Sequence, residues 1–148
     1  MPYNIGSRGS CLLGGNIATN CGGTRMLKHG SLRSNVIGLE AVLADGTILN
    51  DMSTIRKDNS GYDLKQLFVG SEGTLGIVTQ AALRCPLQAQ QKHLAYLAVS
   101  DFDKCVDILK MAKRMLGDSL SAFEVLDQTS QNVTFKAFPD QSPAKPFD

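Results

Sequence analysis

The sequence predicts an α+β chain in two parts, a loop-rich first half and a more regular second module. Three observations predict it. Ten of the 14 glycines lie at or before Gly61, Val36 to Leu49 carries a hairpin pattern, and Leu94 to Leu126 reads as strand, helix, strand. The 148 residues suffice for one compact domain or for pieces of two. With 43% hydrophobic and 20% charged residues, the chain can bury a core.

Met1 to Gly30 is dominated by turns. Arg8-Gly9-Ser10, Gly14-Gly15-Asn16 and Asn20-Cys21-Gly22-Gly23 offer backbone that can adopt positive φ or approach a ligand closely. Ile17-Ala18-Thr19 is too short to build a strand or helix alone, and Arg25 to His29 suits one helical turn stopped by Gly30. Val36 to Leu43 is an apolar β-rich run. Ala44-Asp45-Gly46-Thr47 then predicts a two-residue hairpin turn before Ile48-Leu49, because Asp-Gly tolerates positive φ. Gly61 to Val69 reads as a short helix with Leu64, Leu67 and Phe68 on one face, ended by a left-handed Gly70. Gly70 to Gly76 is a glycine-rich loop leading into a strand, Ile77 towards Leu83.

Pro86 to Gln91 reads as a linker. Beyond it, Leu94 to Val99 is an expected strand. Asp101 caps a helix whose apolar face is Phe102, Cys105, Val106, Leu109, Ala112 and Leu116, Gly117 stops it, and Ala122 to Leu126 returns as a strand. After Gln128 the periodicity fades, and the proline-rich tail is expected to lack packing partners. No repeat or low-complexity segment appears.

Several function classes are disfavoured. Net charge is +1 with no Lys/Arg block, so no electrostatic footprint for nucleic acid is present. No apolar run is long enough for a transmembrane segment, and no secretory leader pattern is seen. Cys11, Cys21, Cys85 and Cys105 form no CxxC and read as small buried thiols. His29 and His93 are isolated, no metal-ligand pair can be proposed, and there is no Gly-x-Ser-x-Gly elbow.

Two segments carry chemistry. Gly14 to Gly23 (GGNIATNCGG) presents main-chain N–H groups with two amides and a hydroxyl, and its glycines admit a flat ring or a pyrophosphate that a Cβ would block. It is neither a Rossmann fingerprint nor a P-loop. On composition alone, a plain glycine-rich turn outweighs ligand cradling. In Gly70 to Val78 (GSEGTLGIV), Glu72 is suited to accept from a ribose hydroxyl, and a bland helix-to-strand connection stands even with that reading. Arg33, Arg56, Lys57 and Lys65 are dispersed and read better as solvated surface charge than as anion ligands.

Read together, GSCLLGGNIATNCGG (Gly9 to Gly23), GSLRSNVIGLEAVLADGTIL (Gly30 to Leu49) and RKDNSGYDLKQLFVGSEGTLGIVT (Arg56 to Thr79) resemble the FAD-binding PCMH-type flavoproteins, the vanillyl-alcohol-oxidase-like family. Within it they look most similar to the D-2-hydroxyglutarate dehydrogenase and D-lactate dehydrogenase branch, and Arg56-Lys57-Asp58-Asn59 favours the former. The resemblance implies residues 1–86 as the C-terminal part of the PCMH-type FAD-binding domain, its second subdomain. Residues 92–148 would begin a ferredoxin-like α/β cap domain, cut short.

The resemblance further implies non-covalent FAD contacted by Gly14, Gly15, Asn16, Ala18, Thr19, Asn20, Gly22 and Gly23, with Glu72, Gly76, Ile77 and Val78 beside its other end. The implied reaction is oxidation of a D-2-hydroxy acid, most naturally D-2-hydroxyglutarate to 2-oxoglutarate, by hydride transfer to flavin N5. Electrons would leave to an acceptor such as an electron-transfer flavoprotein, and the location would be mitochondrial. The family's pyrophosphate loop is expected upstream of Met1. Its substrate arginine, base and divalent-metal histidines are expected downstream, so His29, His93, Arg33 and Lys65 take none of those roles and no catalytic residue is named. The 148 residues alone are expected neither to hold FAD tightly nor to turn over substrate. The alternatives are a D-lactate dehydrogenase or glycolate-oxidase-type subunit and, in another class, a truncated non-catalytic nucleotide- or partner-binding fragment.

Overall fold

The computed structural model describes residues 3–141. The chain divides into two compact units, Met1–Gln88 and Ala89–Asp148.

In the first unit, the middle of the sheet is β1 (Val36–Val42), flanked by β2 (Ile48–Asp51) and β3 (Ile77–Leu83) in the order β2-β1-β3. Both pairings are antiparallel, with Leu39 opposite Asp51 and Leu39 opposite Ala81. The β1–β3 register shifts twice, and between Glu40 and Ala41 the extra residue is Thr79 on β3. Its hydroxyl donates to Glu40 Oε1 at 2.7 Å. Gln80 and Asn50 add bonds to the same carboxylate, so Glu40 ties all three strands together.

The hairpin forms with a longer turn than expected. Gly46 N donates to Leu43 O (3.0 Å) and Leu43 N to Thr47 O (2.9 Å), and of the turn residues Gly46 alone has positive φ, at 85°. Asp45 Oδ1 accepts from Thr47 N (2.9 Å), which holds the Asp short of the left-handed region.

Around the sheet lie α1 (Leu13–Ala18), α2 (Met26–His29) and α3 (Lys65–Phe68). The core comprises Tyr3, Ile17, Leu32, Val36, Leu39, Ala41, Phe68 and Val69. Helix α1 corrects the expectation of turns only. Ile17 is fully buried, and its burial, worth about 1.5–3 kcal/mol, holds a helix that its two glycines would not form alone. Helix α2 stops at Gly30 (φ 73°) as expected. Helix α3 is shorter than the predicted Gly61 to Val69. Leu64 and Leu67 are exposed, and Phe68 and Val69 are the residues that reach the core.

In the second unit, α4 (Phe102–Leu116) is capped by Asp101, whose side chain accepts from Lys104 N, and it ends at Gly117 (φ 50°). Cys105, Val106, Leu109 and Ala112 are half-buried, whereas Phe102 and Leu116 are exposed. The expected strands at Leu94 to Val99 and Ala122 to Leu126 do not form. Among the described residues of this unit no strand offers either segment a ladder, and a strand exists only through its partner. Residues beyond Gln128, expected to be irregular, form α5 (Gln128–Ala137), capped by Asp127 through Ser130 N. The last part of the tail, residues 142–148, lies outside the described residues.

Candidate functional site

The two glycine-rich segments, far apart in sequence, meet through main-chain hydrogen bonds. Gly70 N donates to Ile17 O (3.0 Å), and Glu72 N donates to Ala18 O (2.8 Å). The end of α1 is thereby stitched to the loop that follows α3. Such bonds also satisfy carbonyls at the helix end that have no partner within the helix.

Gly14 explains how closely α1 approaches β3. A Cβ there would lie 2.8 Å from the carbonyl oxygen of Val78. Gly15, one residue on, is exposed, and a Cβ there would meet nothing within 4 Å. The two glycines thus do different work. Gly14 lets α1 seat on the sheet, and Gly15 leaves bare main chain on the outer side.

The other predicted residues divide in the same way. Asn16 is buried and its amide donates to Cys11 Sγ (3.3 Å), so its side chain is committed inward. Thr19 is exposed, with its hydroxyl returned to Gly15 O (3.0 Å). Asn20 has φ 48° and its Oδ1 accepts from Arg33 N (3.0 Å). Ala18 is half-buried. Gly22 and Gly23 sit in different surroundings: a Cβ on Gly23 would fall 2.2 Å from Asn4 O, and Gly22 lies open beside Met26.

In the second segment, Glu72 is an exposed non-glycine residue at φ 51°, and Gly73 faces open space. Gly76 lies against β1, where a Cβ would come 2.6 Å from Val42 O. Ile77 is 71% exposed, and Val78 is half-buried behind Gly14.

Arg33 corrects the reading of a solvated charge. It is half-buried, its guanidinium donates to Gln66 O (2.6 Å) and Val69 O, and it lies beside Gly70. Nothing in the sequence around Arg33 marks it, because its partners are carbonyls contributed by α3. Lys65, also read as surface charge, is largely buried and pairs with Asp63 (2.7 Å) and Asp51 (4.0 Å).

The remaining chemistry is quiet. Burial pushes the Cys21 thiol up, with Cys11 adding to the effect, so Cys21 is held as the protonated thiol. All four cysteines are free, and Cys85 is exposed rather than buried. Among the described residues no three His, Cys, Asp or Glu side chains gather as metal ligands, and no helix is long and apolar enough to cross a membrane.

The site therefore presents exposed main chain and small polar groups on two loops held in fixed register. Such a surface can bind a flat, polar-edged ring system by backbone contact.

The family model for an FAD binding domain matches residues 1–51. A mitochondrial D-2-hydroxyglutarate dehydrogenase of Danio rerio is 51% identical over 136 residues, covering 92% of this chain and 26% of the relative. A Schizosaccharomyces pombe protein named as a mitochondrial D-lactate dehydrogenase is 43% identical over 142 residues, covering 96% of this chain and 27% of that one. Among solved structures, an alkyldihydroxyacetonephosphate synthase matches 56% of this chain and 15% of its own, at 29% identity and TM-score 0.46. The chain spans about a quarter of the length of the curated relatives it matches.

Proposed function

We propose that this chain, similar over residues 1–51 to an FAD binding domain and over most of its length to D-2-hydroxyglutarate and D-lactate dehydrogenases, belongs with those flavoproteins. In this reading α1 and the Gly70–Gly76 loop together form part of the FAD site of a D-2-hydroxy-acid dehydrogenase. The observation that carries the reading is the pair of main-chain bonds, Gly70 to Ile17 and Glu72 to Ala18. They make one surface of two glycine-rich segments, the first of which lies within the matched FAD-binding stretch.

The residues fit the cofactor. Gly15 and Gly73 leave open space where a Cβ would stand, and Gly14 sets α1 flush with β3. Gly14, Gly15, Asn16, Ala18, Thr19 and Asn20 would hold FAD from one segment. Asn16 would do so through its main chain, since its amide faces Cys11. Glu72, Gly76, Ile77 and Val78 would hold it from the other, with Gly22 and Gly23 extending the surface. Glu72 would accept from a sugar hydroxyl. Bound non-covalently, FAD supplies the acceptor for a hydride from C2 of the hydroxy acid.

D-2-hydroxyglutarate is the proposed substrate and 2-oxoglutarate its product. Electron delivery to an electron-transfer flavoprotein, a mitochondrial location, and a divalent metal held by other parts of the enzyme belong to the same proposal. So do the domain identities, FAD-binding for residues 1–86 and cap for 92–148. The test is to purify the product of the complete reading frame containing these residues, record its flavin spectrum, and compare turnover of D-2-hydroxyglutarate with D-lactate. A stoichiometric flavin with preference for D-2-hydroxyglutarate is the expected result. Absence of flavin overturns the reading, and preference for D-lactate favours the enzyme with 43% identity.

A further inference from the structure

We propose that Arg33 is the positioning residue that fixes the second glycine-rich loop against the first, and that it thereby sets the affinity of the flavin surface; this rests on the FAD reading above. Three observations carry it. The main-chain N–H of Arg33 donates to Asn20 Oδ1 (3.0 Å), which pins the left-handed residue just past the end of α1 in the first segment. Its guanidinium donates to Gln66 O (2.6 Å) within α3 and to Val69 O, the carbonyl immediately ahead of Gly70. Its terminal nitrogen also lies 3.2 Å from where a Gly70 Cβ would stand, so the second segment begins in contact with it.

One residue thus grips both segments, main chain to the first and side chain to the second. Gly70 N, the first of the two donors that cross to α1, directly follows the Val69 carbonyl Arg33 holds, and Glu72 N comes two residues later. A guanidinium presents several donors in a rigid fork, so it can bind two carbonyls at once; an ammonium cannot reproduce that geometry. The Gln66 side chain reaches back to the Arg33 carbonyl (3.4 Å) and holds the arginine backbone in place. The neighbouring Gly70, at φ 82°, turns the chain away without crowding the guanidinium.

The test uses the product of the complete reading frame, with Arg33→Lys and Arg33→Ala beside wild type. FAD affinity is read from flavin fluorescence, and amide hydrogen exchange is followed at Gly70, Glu72 and, as a control in the hairpin, Leu43. Loss of charge-assisted hydrogen bonds should weaken FAD binding by about tenfold or more in both variants. Exchange at Gly70 and Glu72 should quicken while Leu43 stays protected, and guanidinium ion at non-denaturing concentration should restore FAD binding to Arg33→Ala. If FAD affinity stays within about twofold of wild type, or is lost while Gly70 and Glu72 keep their protection, the proposal fails. If Arg33→Ala also deprotects Leu43, Arg33→Lys decides by the same criteria. If wild type binds no FAD, the functional reading fails, and exchange at Gly70 and Glu72 still decides whether Arg33 sets the loop.

Discussion

The main-chain N–H of Glu72 donates to the carbonyl of Ala18 across 2.8 Å, although 54 residues separate them. With the Gly70 to Ile17 bond beside it, this contact joins α1 and the glycine-rich Gly70–Gly76 loop into one surface. Glu72 holds the position at φ 51°, where an L-residue is disfavoured by about 1–2 kcal/mol. The Glu72→Gly variant should therefore raise folding stability by about 1 kcal/mol. It should also weaken FAD binding, whereas Glu72→Gln, which keeps an acceptor, should bind more like wild type. Urea denaturation and flavin titration of the two variants separate the effects.

Gly14 and Gly15 are neighbours with opposite expected behaviour. A Cβ at Gly14 would press on the Val78 carbonyl at 2.8 Å, so Gly14→Ala should destabilise by about 1–3 kcal/mol, the usual cost of overpacking. Gly15→Ala enters open space within a helix and should stabilise by about 0.5–1 kcal/mol. Chemical denaturation measures both. Weaker FAD binding by the more stable Gly15→Ala protein would mark that residue as a cofactor contact.

Gly76→Ala tests the seat of the second loop. The new Cβ would lie 2.6 Å from Val42 O and 3.3 Å from the Phe68 ring. Backbone must shift at a strand start, and the expected loss is again about 1–3 kcal/mol. A lower melting temperature together with faster exchange at Glu72 is the expected outcome.

The dependence of stability on pH follows from His29. Burial holds its folded pKa below 6.5, with Lys28, Arg25 and Arg84 adding repulsion of the imidazolium. The folded state then binds fewer protons than the unfolded state. Its contribution is full above the unfolded value near 6.5 and is lost as pH falls below it towards the folded pKa. Urea midpoints measured from pH 7.5 down to pH 5 should fall, and His29→Gln should flatten that slope.

Legibility in the sequence followed how local the cause was. Asp45-Gly46 announces the hairpin because the turn chemistry is carried by the turn residues, although the loop proved longer than two residues. Asp101, the apolar spacing and Gly117 announce α4 for the same reason. Helix α1 was hidden because burial of Ile17 and the approach of Gly14 to Val78 stabilise it from outside. Helix α5 was hidden because Val133 and Phe135 give no stripe at helical spacing. Leu94 to Val99 and Ala122 to Leu126 have strand composition, but pairing is a property of the partner as much as of the segment. At the site, the glycine runs were visible, while the bonds joining them and the grip of Arg33 were not. Those depend on carbonyls, which every residue carries and no sequence pattern marks.

The most direct test of the two-segment flavin site is hydrogen exchange on the product of the complete reading frame, with and without saturating FAD. Peptides covering Leu13 to Gly23 and Gly70 to Val78 should both slow on FAD addition, with the hairpin tip Ala44 to Thr47 unchanged. FAD binding that leaves both segments exchanging at their free rates would contradict the account.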